Sequence, residues 1–482
     1  YNLAIVQMDI GKFENSIENF NKILKINKNY QRVFGKIIHS EKIICNWQDH
    51  DKKIKKLEDK ILNNENCITP WETLSIFDSE KIQLKVAETW IKNNFIKYDF
   101  PNLLESKKRN EKLKIGYFSS DFFNTAVSNQ IIKIIEFHDR SKFEIIAFSL
   151  INNEDTMQKK LQQTFDKFIN IEGKSSNEIF ESCREINIDI AIDLNGFTLN
   201  NRFEIFEKRC APIQISYLGY SATTGSKNID YIIADKEVIP KESQKYFSEK
   251  IIYLPSTYIT NGKKDKILDL KASKEQYDVP LNSFLLGCFN QHYKITPEMF
   301  NVWIKILKKN DLCFILLNEG NNLSRKNLLN YASNQGVKTN KLIFTKKLSS
   351  LSDHLNRLRF IDLFIDTFPY GSHTTACDAL LVGKPIVTLK GNSFASRIAS
   401  SLLKSLNLEY LITESFQDYE DKINNLISNK SMLKELNIKI IENQNKSTLF
   451  NAKTFTQNLE KAYLQVYENL INKKKPNNVY LN

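Results

Sequence analysis

No hydrophobic run in the sequence approaches the roughly 20 residues that a helix needs to cross a bilayer. Tyr1-Asn2-Leu3 does not begin a secretory signal. Cysteine is also sparse: the seven residues are scattered without a CxxC pair and are Cys45, Cys67, Cys183, Cys210, Cys288, Cys313 and Cys377. These absences argue against a membrane span and against a disulfide or zinc framework, and we interpret the cysteines as buried thiols in a reducing cytoplasm.

A compact block of Arg and Lys interleaved with aromatic residues is missing too, although the formal net charge is +12, from 68 Lys+Arg against 56 Asp+Glu. The excess is mostly Lys spread over predicted helix faces, which is typical of a solvated surface and argues against a nucleic-acid partner. A basic field still attracts anions, so it would help to gather an anionic ligand or an acidic partner.

The length of 482 residues predicts two or three domains, and 41% hydrophobic residues are typical of a globular chain. The first 34 residues carry apolar side chains at helical spacing on both sides of Gly11-Lys12, which predicts a helix-turn-helix of repeat length. The packing positions of a tetratricopeptide (TPR) repeat are filled by Leu3, Ala4, Gln7, Gly11, Phe13, Ile17, Phe20, Ile23 and Leu24. One repeat does not bury its own face. Because the chain opens on Tyr1 and not on Met, we expect that it was cut from something longer; either further repeats precede it or the repeat packs as a cap on the next helices of the chain.

From Lys112 the pattern changes to short apolar runs that alternate with amphipathic helices, and a second such series starts at Phe284. Continuous apolar strands separated by helices predict parallel sheets covered on both faces. We therefore predict an α/β protein with a helical TPR-like region at 1–105, a first Rossmann-like lobe at 106–265 and a second Rossmann-like lobe with closing helices at 266–482. Two such sheets would hold ligands at their carboxyl edges, facing each other across a cleft.

The segment DTFPYGSHTTACDAL (366–380) predicts an anion site, because a strand end leads through a Pro- and Gly-containing loop to a helix start near His373. Main-chain N–H groups at a helix N-terminus, together with the hydroxyls of Thr374 and Thr375, favour phosphate. His373 would add a donor, and Asp378 would accept from a ribose hydroxyl. The alternative is an ordinary Thr-capped helix with a satisfied His.

Two further segments carry candidate ligand contacts. FNQHYKITP (289–297) runs from a strand end into a helix capped by Thr296, and it places Lys294 where an ammonium would neutralise charge on a leaving diphosphate. The alternative is a solvated Lys. APIQISYLGYSATTG (211–225) leaves a strand into a loop where Gly219 and Gly225 permit close backbone approach to a ligand, although any tight turn after a strand looks similar.

These segments, in this order, resemble the protein O-GlcNAc transferase family, which includes bacterial members and the plant SPINDLY branch. The resemblance covers nearly the whole chain. It also rests on KIGYFSSDF (114–122), DLNGFT (193–198), LVGKPIVTL (381–389), SFASRIASSLL (393–403), STLF (447–450) and LEKAY (459–463).

The resemblance implies a GT-B fold with a catalytic lobe at 106–265 and a nucleotide-sugar-binding lobe at 266–482. It also implies an inverting, metal-independent transfer of N-acetylglucosamine from UDP-GlcNAc to Ser or Thr hydroxyls of a polypeptide. It also implies roles for individual residues: Gln291, Tyr293 and Lys294 at the diphosphate, His373, Thr374 and Thr375 at the phosphates, Asp378 at the ribose, His354 and Arg357 at the uracil, and the backbone of Leu218 and Gly219 at the donor sugar. We expect Lys294, Tyr293 and His373 to be the catalytic residues.

Two positions depart from the family pattern. Family members usually place a His, often proposed as the base, in the loop after the first strand, where this chain has Thr125. Thr does not act as a base near neutral pH. Either the donor phosphate, a water chain or another residue takes the proton, or the chain is a weak or inactive member. The Lys expected one turn before His354 is Leu351, so ribose recognition falls to Lys346 or Lys347 or is weaker.

Alternative functions stay open. His373, where SPINDLY-like chains tend to carry Thr, favours UDP-GlcNAc over GDP-fucose, but fucosyl transfer, glucosyl transfer to Asn and a non-catalytic repeat scaffold are alternatives. Asp49-His50-Asp51 has the form of a DxD metal site but lies far in sequence from the phosphate candidates, so we predict no metal and no other cofactor. The sequence indicates neither the acceptor protein nor the oligomeric state.

Overall fold

The computed structural model describes residues 1–95, 111–262, 280, 282–346, 348 and 350–481. Its first part is helical, with α1 (Asn2–Asp9), α2 (Phe13–Ile26), α3 (Val33–Ile43), α4 (His50–Leu62), α5 (Pro70–Thr73) and α6 (Glu80–Asn94). The first two helices form the expected helix-turn-helix, in which the Ser16 hydroxyl donates to the Ala4 carbonyl at 2.7 Å and Phe20 is fully buried. Leu3, expected on the packing face, is instead 64% exposed.

The first α/β series follows the predicted change of pattern. It consists of β1 (Leu113–Ser119), α7 (Ala126–Phe137), β2 (Phe143–Ser149), α8 (Thr156–Thr164), β3 (Lys167–Asn170), α9 (Ser176–Ile186), β4 (Ile190–Asp193), α10 (Glu204–Glu207), β5 (Ile213–Ser216), β6 (Tyr231–Ala234) and β7 (Lys250–Tyr253). The central strand β4 is buried at every residue, as expected for a strand covered on both faces.

The second series contains the remaining strands and most of the remaining helices. It consists of β8 (Phe284–Cys288), α11 (Pro297–Lys309), β9 (Cys313–Asn318), α12 (Asn322–Asn334), β10 (Leu342–Thr345), α13 (Leu351–Leu358), β11 (Leu363–Ile365), α14 (Thr374–Leu381), β12 (Ile386–Leu389), α15 (Phe394–Lys404), β13 (Ile412–Thr413), α16 (Phe416–Ser428) and α17 (Lys430–Gln444). The chain then continues into α18 (Ala452–Ile471) and β14 (Val479–Tyr480).

The strands form two sheets. The first has the order β14-β7-β6-β5-β4-β1-β2-β3 and the second has the order β10-β9-β8-β11-β12-β13. Neighbouring strands run parallel, for example β1 with β4 and β8 with β11. The prediction of two parallel α/β sheets preceded by a helical region is therefore confirmed.

The chain divides into two compact units. Unit 1 comprises Tyr1–Ile82 and Lys263–Ser447, and unit 2 comprises Gln83–Gly262 and Thr448–Asn482. The closing helix α18 thus belongs with the first sheet, where β14 pairs with β7. The domain division predicted from the sequence had assigned this helix to the second lobe at 266–482. The predicted boundaries at 105/106 and 265/266 lie outside the described residues.

Among the described helices, none is both long enough and apolar enough to cross a membrane. This finding agrees with the scarcity of long hydrophobic runs in the sequence.

Candidate active site

The second sheet has its topological switch point between β8 and β11. From β8 the strand order proceeds through β9 to β10 in one direction, and from β11 through β12 to β13 in the other. Ligands of open parallel sheets bind at the carboxyl ends of strands at such a point. The loop after β8 contains Gln291, Tyr293 and Lys294, and the loop after β11 leads to His373, so the fold brings the two predicted segments to one edge.

Asn290 and Asp366 join these two loops. The Asn290 amide nitrogen donates to the hydroxyls of Thr367 at 2.8 Å and Ser372 at 2.7 Å. Asp366 accepts from the Ser372 amide at 2.8 Å and from its hydroxyl at 2.6 Å, and burial raises the pKa of its carboxyl. The side-chain oxygen Oδ1 of Asn290 in turn accepts from the Thr375 hydroxyl at 2.9 Å, so one buried side-chain amide fixes both the loop and the start of α14.

Lys294 reaches across to the second loop. Its Nζ donates to the Gly371 carbonyl at 2.9 Å and lies 3.6 Å from the centre of the Tyr370 ring. Burial lowers the pKa of Lys294 to about 8, although the nearby Asp366 carboxylate opposes the shift. The ammonium is therefore mostly protonated at neutral pH, and it is bound to the loop that leads directly into His373.

The start of α14 is suited to an anion. The His373 side chain precedes the helix but makes no capping hydrogen bond to its first turn, and His373 and Thr374 are half-buried. The first N–H groups of a helix attract anions when no side chain caps them. Burial and the charge of Lys294 hold the pKa of His373 well below its ordinary value of 6.5, so its imidazole is a neutral donor or acceptor.

Tyr293 lies among aromatic rings, with its ring centre 5.7 Å from that of His39, 5.4 Å from that of Trp71 and 6.4 Å from that of Tyr370. Burial raises the pKa of the Tyr293 hydroxyl well above 10. The phenol is therefore protonated at neutral pH and is suited to donate a hydrogen bond. Gln291 is exposed at the same loop.

The predicted nucleoside residues form a second connected group. An Arg357 nitrogen donates to Nδ1 of His354 at 2.8 Å, and Nε2 of His354 lies 3.8 Å from the Asp378 carboxylate. Because Arg is always a donor, this contact leaves the proton of a neutral His354 on Nε2, towards Asp378. The Arg357 guanidinium also lies 4.3 Å from the centre of the Phe289 ring.

A cavity of about 520 Å³ opens beside these groups. Four predicted site residues line it, namely Gln291, Tyr293, His354 and Arg357. The remaining lining residues were not predicted as ligand contacts and are Phe13, Ile43, Phe289, His292, Asn318, Glu319, Gly320, Asn321 and Leu348. Of the two lysines proposed in place of Leu351, Lys346 has an exposed side chain and Lys347 lies outside the described residues.

Leu218 and Gly219 belong to unit 2 and follow β5, which is adjacent to β4 in the first sheet. Leu218 has a φ of +70°. A Cβ atom at Gly219 would lie 2.0 Å from the Leu194 carbonyl oxygen, so a glycine is required by this close backbone approach.

Thr125 caps α7. Its hydroxyl accepts from the Ser128 amide at 3.2 Å and donates to the Asp121 carbonyl at 2.9 Å. The residue that stands at the usual position of the family His therefore has a local structural role. Burial raises the pKa of the neighbouring Asp121 carboxyl, which accepts from the Asn195 amide at 3.3 Å.

His50 and Asp51 lie beside Glu298, which the sequence did not connect with them. The ligand atoms of the three residues lie within 4.8 Å of one another, and both carboxylates are exposed. Exposed acidic groups occur commonly without a metal, so the expectation of a metal-independent chain stays a prediction.

Sequence reasoning missed Asn290, Asp366, Tyr370 and His292 as site residues. All four belong to the two segments predicted to bind the ligand. Their position in the sequence could have indicated a role, because each directly follows a strand or lies in the loop that precedes a helix. Some of their partners lie far away along the chain: Ser372 is 82 residues from Asn290, and Ser324 is 32 residues from His292.

The chain is similar to known glycosyltransferases. The sequence profile of glycosyl transferase family 41 matches residues 44–273 and 259–459. An Arabidopsis thaliana protein named "Probable UDP-N-acetylglucosamine--peptide N-acetylglucosaminyltransferase SEC" is 30% identical over 453 residues, covering 89% of this chain and 46% of that protein. A Caenorhabditis elegans protein named "UDP-N-acetylglucosamine--peptide N-acetylglucosaminyltransferase" is 24% identical over 554 residues, covering 88% of this chain and 48% of that protein. The chain thus spans about half the length of these curated relatives.

A solved O-GlcNAc transferase variant from Thermobaculum terrenum superposes with a TM-score of 0.81 at 21% identity, covering 96% of this chain and 89% of that chain. The likeness confirms the predicted GT-B fold. Because the family profile covers most of the sequence, the chain belongs to glycosyl transferase family 41.

Proposed function

We propose that the chain is an inverting glycosyltransferase that moves N-acetylglucosamine from UDP-GlcNAc to a Ser or Thr hydroxyl of a polypeptide. Family membership and the names of the relatives support the reaction class. The observation that carries the proposal is the approach of the Lys294 ammonium to the loop that starts α14, where it donates to the Gly371 carbonyl at 2.9 Å. A cation and a helix N-terminus at one sheet edge suit a diphosphate.

In the proposed reaction, the acceptor oxygen forms a bond to the anomeric carbon while the bond from that carbon to the β-phosphate oxygen breaks. The electron pair leaves on UDP. Lys294 exchanges the Gly371 carbonyl for the leaving phosphate oxygen, and the N–H groups at the start of α14, with Thr374 and Thr375, hold the remaining phosphate oxygens. Each strong contact of this kind contributes about 2–4 kcal/mol to transition-state stabilisation.

His373 and Tyr293 are proposed as neutral donors to the diphosphate, in agreement with the directions of their pKa shifts. Lys294 then supplies the positive charge. Arg357 and His354 are proposed to hold the uracil, and Asp378 the ribose. The exposed Gln291 is proposed at the diphosphate, and the backbone of Leu218 and Gly219 at the donor sugar.

A group other than Thr125 must accept the proton of the acceptor hydroxyl, because the Thr125 hydroxyl caps α7. The donor phosphate, a water chain or another residue are the available choices. The same observation favours a second candidate function, a scaffold that binds the nucleotide without turnover. Measuring UDP release from UDP-GlcNAc alongside UDP binding separates the two, since only the enzyme releases UDP.

The direct test of the proposal is Lys294→Ala. We expect UDP release from UDP-GlcNAc to fall at least a hundredfold, because the developing negative charge loses its cation. Lys309→Ala, at an exposed position of α11, is the matched control and should keep the wild-type rate. Equal rates for wild type and Lys294→Ala would contradict the assignment.

We propose that no divalent cation takes part in the reaction, so UDP release should continue in EDTA. We also propose that the protein works in the cytoplasm, in agreement with the seven buried free cysteines among the described residues. Calorimetry with UDP, GDP and their sugars tests the donor, and tight binding of GDP-fucose in place of UDP-GlcNAc would favour fucosyl transfer.

A further inference from the structure

His292 lies in the loop that follows β8, and its ring packs against the end of β9 and the loop that follows β9. Its side chain is 4% exposed, and both ring nitrogens have partners. Nδ1 lies 2.8 Å from the Ser324 hydroxyl, and Nε2 lies 3.0 Å from the Asn318 carbonyl oxygen. Because a carbonyl only accepts, the neutral ring carries its proton on Nε2 and accepts from Ser324. Burial lowers the pKa of His292 to about 4, so the ring is neutral at physiological pH.

The loop after β9 is shaped to receive this ring. Gly320 has a φ of +58°, and a Cβ atom there would lie 2.2 Å from two atoms of the His292 ring. A side chain at position 320 would therefore displace the imidazole. The ring of Phe344 lies against another side of it, with ring centres 6.1 Å apart.

Asn318, the last residue of β9, also holds the residues before His292. The Asn318 side-chain nitrogen donates to the carbonyls of Phe289 and Asn290, while the Asn318 carbonyl accepts from His292. Asn318 thus fixes the chain on both sides of Gln291. Residues His292–Lys294 form a single 3-10 turn in which the Lys294 amide donates to the Gln291 carbonyl at 3.0 Å.

We propose that His292 is a positioning residue, which fixes the turn that aims the Lys294 ammonium at the leaving diphosphate. The inference rests on the proposed function. It assigns His292 no contact with the reacting atoms. His292 acts through Lys294, because the position of the Lys294 Nζ depends on the conformation of the turn that His292 fixes.

The expected effect falls on the chemical step more than on donor binding. Lys294 stabilises charge that develops as the bond to the leaving group breaks, so misplacing it raises the transition state more than the bound donor. A displacement of about 1 Å is enough to lower a rate about a hundredfold.

The test compares His292→Phe, which keeps a ring of similar shape but loses both hydrogen bonds, with His292→Gln, which retains a donor for the Asn318 carbonyl. UDP release from UDP-GlcNAc with water as acceptor gives kcat and KM. We expect kcat of His292→Phe to fall at least tenfold with KM within threefold of wild type, and His292→Gln to recover at least a third of the lost rate. Lys309→Ala, at an exposed position of α11, is again the control and should match wild type.

A double-mutant cycle with Lys294→Ala separates positioning from a general loss of packing. If His292 acts through Lys294, adding His292→Phe to Lys294→Ala changes kcat less than twofold. Multiplying effects in the cycle, or a wild-type kcat in both His292 variants, would overturn the inference while leaving the transferase proposal intact. A wild-type protein that releases no UDP with either water or Ser- and Thr-containing peptides as acceptor would overturn both.

Discussion

The charge of Lys294 depends on its surroundings, because burial lowers the pKa of the ammonium to about 8. In the free protein, raising the pH through 8 therefore removes the cation that the proposed leaving group needs. We expect kcat/KM for UDP release to be constant below about pH 7.5 and to fall about tenfold per pH unit well above pH 8. Bound diphosphate raises the pKa of a neighbouring ammonium, so the fall in kcat should begin at a higher pH.

The two pH profiles check this directly. A kcat/KM that stays constant to pH 10 would contradict the proposed role of the charge. As a control, the thermal unfolding temperature is measured at each pH. It should stay constant where the rate falls, which shows that the fold is unaffected.

Asn290 is a second residue whose substitution has a defined consequence. In Asn290→Asp, the donors to Thr367 and Ser372 are lost, and a carboxylate is placed where Nδ2 lay 3.3 Å from Asp366. We expect the free energy of unfolding to fall by about 2–4 kcal/mol at pH 7.5, and UDP binding to weaken with it. The loss should be smaller near pH 5, because one carboxyl of the pair then takes a proton. Asn334→Asp, at an exposed end of α12, is the control; equal losses in the two variants would contradict the role of the buried network.

At the residue scale, the sequence predicts Lys294 and His373 because each lies in a loop between an apolar run and a helix. It does not predict that Asn290 bonds to Ser372, since the pairing depends on β8 and β11 being neighbours. It also does not predict the place of His292, because the glycine that makes room for its ring lies 28 positions later in the chain.

At the scale of elements, the first sheet has a switch point of its own, between β1 and β4. The Asn195 side chain bridges the loops that follow these strands, accepting from the Ser120 amide at 2.7 Å and donating to the Ser120 hydroxyl at 2.7 Å. Leu194 and Asn195 are also the residues against which the backbone of Gly219 packs. The loops after β1, β4 and β5 are therefore fixed together.

We expect Gly219→Ala to disturb all three loops, because its Cβ would lie 2.0 Å from the Leu194 carbonyl oxygen and 2.9 Å from the Leu194 carbonyl carbon. Neither contact is with a flexible side chain, so the backbone must move. The free energy of unfolding should fall by about 1–3 kcal/mol, with a loss of UDP release if the backbone at Leu218 and Gly219 meets the donor sugar. Denaturant unfolding measures the first effect and a UDP assay the second.

Gly173→Ala is the matched control. Gly173 has a φ of +75° but no atom within 4 Å of its added Cβ, so the substitution strains the backbone without a clash. It should cost about 1 kcal/mol and leave UDP release unchanged. If Gly219→Ala were no more harmful than this control, the close approach would have no structural importance.

The elements themselves were predictable, because continuous apolar runs such as KIGYFSS and FLLGC correspond to β1 and β8. The order of strands was not, since it is set by pairings between distant parts of the chain. The pairing of β14 with β7 joins residues more than 200 positions apart, and a strand as short as Val479–Tyr480 has no periodic signal of its own.

At the scale of the whole chain, the last helix stabilises the first sheet. Glu460 on α18 accepts from Nδ1 of His138 at 3.0 Å and from the Asp139 amide at 2.6 Å. The Tyr117 hydroxyl lies 2.9 Å from Nε2 of His138 and 3.2 Å from the Tyr463 hydroxyl. Since His138 donates through Nδ1 to Glu460, its Nε2 accepts from Tyr117, and the four side chains form one buried network within unit 2.

Because of this network, we expect substitutions at Glu460 to lower the stability of unit 2 without changing the affinity for the nucleotide. Glu460→Ala leaves the buried ring N–H of His138 and the half-buried amide N–H of Asp139 without their acceptor, so we expect the free energy of unfolding of unit 2 to fall by about 2–4 kcal/mol. Glu460→Gln keeps an acceptor oxygen, so its free energy of unfolding should fall far less.

Hydrogen exchange should quicken in β1, α7 and α18 of Glu460→Ala and stay unchanged in β8 and β11. The proposed uracil, ribose and phosphate contacts all belong to unit 1, so UDP affinity by calorimetry should match wild type. A parallel loss of UDP affinity in Glu460→Ala would mean that the two units do not respond independently, and that the closing helix contributes to the nucleotide site as well as to the first sheet.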